Sequence, residues 1–227
     1  MQKLYIIHGW TYSLDTWTSI CRLLQAEGVE PVQLKVPGLT TPSDKVWDMA
    51  GYVEWLDAEL KDDPSPVVLG HSNGGRIALN YVIAHPGSLK QLILLDSAGV
   101  PHATTKKSLV KMAAKVAKPL KHIPGVSKVV YHFLGAQDYN NAPPNMKQTM
   151  QNMLSSDAAL ELSKVDVPTA ILWGREDTVT PLADGELMQK TIPGAKLQVI
   201  DEARHAPHAT KPQEVASLIL DVMKGAK

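Results

Sequence analysis

The strongest constraint in this chain is an alternation. Short apolar runs at 4–7, 31–35, 66–69, 91–95, 168–173 and 197–200 are bounded by Gly, Pro or turn residues and are too short for helices. Amphipathic segments of helix length lie between them, at 14–27, 46–60, 74–85, 182–191 and 212–224. Pro181, before Leu182, and Pro212, before Gln213, have the look of first-turn prolines. The runs are apolar throughout, so both faces of each strand must be covered. The pattern predicts an α/β fold: a mostly parallel sheet of about six strands with helices on both faces. Trp47 and Trp55 fit core positions on the 46–60 helix. Cys21 fits a packed position in the 14–27 helix.

One stretch breaks the alternation. Residues 101–160 carry helical patterns and no convincing central strand. The expected organisation is therefore one core, 1–100 with 161–227, and a small helical cap insertion at 101–160 over the carboxyl ends of the strands. A chain of 227 residues suits a single core with such an insertion. No acidic residue occurs from Ser97 to Gln137. Lys107, Lys111, Lys115 and Lys118 share one helix face there, with Val110, Ala113, Ala117 and Leu120 on the other. That face either attracts anionic substrates or an anionic membrane surface, or is simply solvated. Met146, Met150 and Met153 recur at helical spacing, as an acyl-pocket wall or as cap packing.

The 23 basic and 23 acidic residues cancel, so no nucleic-acid partner is expected. Cys21 is the sole cysteine, which excludes an intramolecular disulfide and fits a reducing compartment. The apolar run after Met1-Gln2-Lys3 is too short for a signal-peptide core. Cytoplasmic is the expected location.

The chemistry concentrates at Val67-Val68-Leu69-Gly70-His71-Ser72-Asn73-Gly74-Gly75, a strand, then Gly-x-Ser-x-Gly, then a helix. This pattern places a serine on a sharp strand-to-helix turn, a nucleophile elbow. The glycines leave room around the strained turn. The helix aims its first amides at the reaction centre. The bland reading is a tight turn with an idle serine.

A serine hydroxyl needs a base, and the base needs an orienting acid. His205 is the chosen base, because it follows the run at 197–200 in a loop that can reach the carboxyl-end crevice. His208 is its rival, with a structural or surface role as the alternative. His102, His122 and His132 fall in the insertion, and His85 at a helix end. Asp177, after the run at 168–173, is the chosen acid, with Asp96 as competitor and Glu176 pointing elsewhere. The order Ser, Asp, His suits a hydrolase triad. The oxyanion would be held by the backbone amides of Asn73 and Trp10, the latter in the loop His8-Gly9-Trp10. His8 itself reads as structural. The pair His205 and His208 lacks a supporting Glu motif, so no metal is expected, and the chemistry requires no cofactor.

Residues 4–100 and 165–225 resemble the α/β-hydrolase superfamily in compact form. The matching pieces are His8-Gly9-Trp10 with Trp17, Gly70-His71-Ser72-Asn73-Gly74-Gly75, Trp173-Gly174-Arg175-Glu176-Asp177, and Arg204-His205-Ala206-Pro207-His208. The resemblance implies Ser72, Asp177 and His205 as triad, Trp10 and Asn73 as oxyanion hole, a helical cap, and an acyl-enzyme mechanism. Arg204 stands where the family commonly has Gly. The two strands that open the larger family pattern are missing. The serine excludes relatives with an aspartate nucleophile. The expected activity is hydrolysis of an ester or thioester of a small molecule, as in carboxylesterases. Two alternatives stand beside it: carbon–carbon bond hydrolysis of a vinylogous diketone, suggested by Ser97-Ala98-Gly99-Val100-Pro101, and a non-catalytic binding protein that kept the fold.

Overall fold

The computed structural model describes residues 1–100 and 142–225. Six strands form one sheet: β1 (Gln2–Ile7), β2 (Val29–Gln33), β3 (Val67–His71), β4 (Gln91–Leu95), β5 (Thr169–Gly174) and β6 (Lys196–Ile200). Their order is β2-β1-β3-β4-β5-β6, and every pairing is parallel. The helices are α1 (Thr18–Ala26), α2 (Met49–Leu60), α3 (Asn73–Ala84), α4 (Pro144–Ser156), α5 (Leu182–Thr191), α6 (Pro207–Thr210) and α7 (Pro212–Gly225). The α/β fold with about six strands is borne out.

Strand residues alternate between two cores, as the two-residue period requires. Leu4, Ile6, Val67, Leu69, Ile93 and Leu95 face α1 and α7, with Trp17, Leu24, Val215 and Ile219. Tyr5, Ile7, Val68, Leu92, Leu94 and Trp173 face the other side, with Tyr52, Leu56, Ile77 and Met188 from α2, α3 and α5. Each Leu or Ile sealed in this way contributes about 1.5–3 kcal/mol. Cys21 is buried among the first set, as expected.

Three local expectations need correction. The second strand runs Val29–Gln33 and not 31–35. It is an edge strand, where Pro31 sits inside the strand opposite Leu4 without breaking an interior ladder. The helix expected at 46–60 begins at Met49, because the Asp48 carboxylate accepts the Gly51 amide at 2.8 Å and caps it. Trp47 therefore lies outside the helix, stacked on Tyr52 with ring centroids 5.1 Å apart. The segment 14–27 opens as a 3-10 turn at Asp15–Trp17 before α1 begins.

Within the expected insertion, α4 is helical and packs on the α2 side of the core through Met146 and Met153. The lysine face of 107–118 and the histidines 102, 122 and 132 lie outside the described residues. Among the described residues, no helix is long and apolar enough to cross a membrane.

Candidate active site

The chain leaves β1 toward β2 on one side and then crosses to β3 on the other, so the crevice between β1 and β3 is a topological switch point. Ser72 sits there, one residue past β3. Its backbone is left-handed, with φ 51° and ψ −119°. Ordinary L-residues avoid that region, so the surroundings must enforce it. Four backbone bonds do so. The Ser72 N–H donates to Leu95 O at 3.1 Å, and the Ser72 carbonyl accepts from Gly75, Arg76 and Ala98 at 3.0, 3.3 and 2.9 Å.

The glycines of the motif are steric necessities. A side chain on Gly70 would press on the Gly75 backbone at 2.6 Å, and one on Gly74 would strike the backbone of Ile7 and His8. Gly9 lies against the nucleophile turn, since its missing Cβ would meet the Ser72 Cβ at 3.0 Å. The Trp10 loop is thus packed beside Ser72. Asn73 opens α3 on the other side, where first-turn amides lack partners within the helix.

The distant side chains converge. His205 Nε2 is 2.9 Å from Ser72 Oγ, and His205 Nδ1 is 2.7 Å from Asp177 Oδ2. Asp177 is 5% exposed and Ser72 6%. Asp177 Oδ1 accepts the Val179 and Thr180 amides at 2.7 and 3.0 Å, and the Thr180 hydroxyl lies 2.7 Å from Oδ2. The loops carrying Asp177 and His205 are joined by backbone bonds, Arg175 N–H to Ile200 O and Glu176 N–H to Ala203 O, both 2.9 Å. Arg204 is exposed and leaves this geometry intact. Glu176 points to the surface.

The chain matches the family model described as "Alpha/beta hydrolase family" over residues 4–218. It belongs to that family. With a Ser–His–Asp hydrogen-bonded chain assembled, this α/β-hydrolase is a serine hydrolase of the esterase kind. It is 26% identical to a pimeloyl-[acyl-carrier protein] methyl ester esterase of Neisseria meningitidis, covering 99% of this chain and 94% of the relative. It is 24% identical to the human monoacylglycerol lipase ABHD6, over 97% of this chain and 75% of that one. In fold it resembles a thermophilic esterase from Thermogutta terrifontis, with a TM-score of 0.73, 21% identity, and 100% and 90% of the two chains covered.

The hydrolase site also holds residues that motif reasoning passed over. His71, the residue before the serine, donates its Nε2–H to the His205 carbonyl at 2.7 Å and pins the His205 backbone. Burial, with His208 and His205 nearby, pushes its pKa well down, so it stays neutral. His208 is neither a rival base nor a surface residue. It is 3% exposed and stacks on Trp17 with centroids 4.0 Å apart. Burial pushes it down to about 3, with His205 adding to the effect. His8 is structural as expected: its Nδ1–H donates to Gly9 O at 2.7 Å, and Nε2 lies 2.8 Å from the Thr40 hydroxyl.

The second omission is Arg76, 2% exposed on α3. It grips Asp157 with two nitrogens at 2.6 and 2.8 Å and donates to Asn73 Oδ1 at 2.5 Å. The Asn73 amide nitrogen in turn lies 3.3 Å from Met153 Sδ. Asn73, next to Ser72, is thereby tied to α4 and the turn after it. The only sequence trace was a single charged residue in the helix Asn73–Ala84. Among the described residues, no three His, Cys, Asp or Glu side chains gather to hold a metal.

Proposed function

We propose that Ser72 is the nucleophile, His205 the base and Asp177 the orienting acid of a cytoplasmic carboxylesterase. The observation that carries this reading is the continuous chain from Ser72 Oγ through His205 to Asp177, at 2.9 and 2.7 Å, with Ser72 held in a left-handed turn. Ser72 Oγ attacks the ester carbonyl as its proton passes to His205 Nε2. The new oxyanion lies against the Trp10 and Asn73 amides, each worth about 10²–10³ in rate by analogy with other oxyanion donors. Collapse expels the alcohol, which takes the proton from His205, and leaves an acyl-enzyme. Water then attacks while giving a proton to His205. The acid departs and that proton returns to Ser72. Asp177 holds the imidazole in the tautomer with its proton on Nδ1 throughout.

Met146, Met150 and Met153 are all buried on α4, and the last touches the Asn73 side chain. With Met146 and Met153 packed in the core there, they support an apolar setting beside the serine and a substrate with an apolar acyl chain. The names of the relatives, an acyl-carrier-protein-linked methyl ester esterase and a monoacylglycerol lipase, support the same class. The buried free thiol of Cys21 supports a reducing location. The test is a panel of p-nitrophenyl esters of increasing chain length, with fluorophosphonate labelling. Ser72→Ala should lose both turnover and labelling while remaining folded. Labelling that persists on another residue rejects the assignment.

A further inference from the structure

Asp96 stands one residue past β4, completely buried, with φ 42°. Its Oδ1 accepts the Gly174 amide at 2.7 Å. Its Oδ2 is buried and receives no hydrogen bond from the described residues. Asp177 is its neighbour: Thr180 Oγ1 lies 3.1 Å from the Asp96 carbonyl and 2.7 Å from Asp177 Oδ2, and the Asp177 carboxylate helps raise the Asp96 pKa. Asp177 is far better supplied, with two backbone amides, His205 Nδ1 and the Thr180 hydroxyl around it. Among the described residues, no Lys or Arg forms an ion pair with either carboxylate. Two ionised carboxylates in contact, with no cation between them, repel strongly. One proton between them turns that repulsion into a hydrogen bond. The charge belongs on the member that already holds the donors.

We propose that Asp96 keeps its proton at neutral pH and donates it to the Asp177 carboxylate, as a positioning residue for the triad. This rests on Asp177 being the triad acid. The groups facing the pair fit it: the amides of Gly174, Val179 and Thr180 and the Thr180 hydroxyl from the end of β5 and the turn after it, and His205 from the loop after β6. Burial raises the Asp96 carboxyl well above the usual carboxylate range; the Gly174 amide opposes this, and Asp177 reinforces it. A carboxyl raised in this way contributes stability that is fully present below its unfolded pKa. That stability is lost as pH rises through the folded value.

Asp96→Asn tests this, because an amide can still accept from Gly174 and donate to Asp177. The variant should keep kcat within about threefold and leave the acidic limb of the pH profile in place. Its melting temperature should gain on the wild type as pH rises above about 4. Difference infrared spectra at pH 7 should show a protonated carboxyl band in the wild type that Asp96→Asn removes. Asp96→Ala, lacking both contacts, should lose about tenfold in kcat, with Asn as the rescue. Absence of the infrared band, or an acidic limb that moves down in Asp96→Asn with a pH-independent stability difference, overturns the proposal. So does full activity in Asp96→Ala. If the alanine variant does not fold, the infrared and stability readings on Asp96→Asn still decide. Turnover surviving in Ser72→Ala would instead defeat the triad assignment, leaving the Asp96 proton to be judged by its own spectra.

Discussion

The turns that end β4 and β5 each carry a buried aspartate, and the Thr180 hydroxyl lies between them, yet their surroundings are opposite. After β5 the backbone folds back so that the amides of Val179 and Thr180 point at Asp177, and the His205 imidazole completes its shell. After β4 the chain takes a left-handed step, and among the described residues the Asp96 carboxyl collects only the Gly174 amide. Burial is nearly the same for both, so burial does not decide which one bears charge. The number of donors does.

The comparison can be attacked most forcefully at Asp177. Asp177→Asn should lower kcat by about 10⁴, as loss of a triad acid does elsewhere, because the imidazole loses its preferred tautomer. Steady-state kinetics on a folded variant checks this. The same substitution at 96 should be nearly silent, and equal losses at both positions would erase the distinction. A middle effect is expected at Gly174, which bridges the two turns. A methyl group there would meet the Ala203 and Arg204 carbonyls at 2.6 and 2.8 Å. Gly174→Ala should cost about 1–3 kcal/mol in urea unfolding, by overpacking where β5, the Asp96 contact and the His205 loop meet. The smallest effect is expected from Thr180→Val. Its hydroxyl lies 2.7 Å from Asp177 Oδ2 and 3.1 Å from the Asp96 carbonyl. Losing it should cost about 1 kcal/mol, or about fivefold in kcat, recovered in Thr180→Ser. A Thr180→Val loss that matches Asp177→Asn would mean the hydroxyl, and not the amides, holds the charge.

Much of this was legible before any coordinates. Short apolar runs marked the six strands, most cleanly β3, β4 and β5, whose residues are all buried because both faces of the sheet are covered there. The shift in β2 came from treating Pro31 as a boundary, a rule that holds inside a sheet and fails on its edge. Trp47 was placed on a helix that Asp48 caps after it. His208 was assigned to a structural or surface role; only its stacking on Trp17 makes it a core residue.

By itself the sequence determined the alternation, the serine's steep turn and the candidates for base and acid, since these depend on local patterning and on side-chain size within a few residues. It left Asp96 and Asp177 as competitors, and gave Arg76 and His71 no role. The surroundings of these groups belong to the tertiary structure, because they turn on which amides and carbonyls reach each group from other strands, as Gly174 reaches Asp96 across 78 residues and the His205 carbonyl reaches His71 across 134. Hydrogen-bond supply is a property of assembled neighbours, and no one-dimensional pattern encodes it.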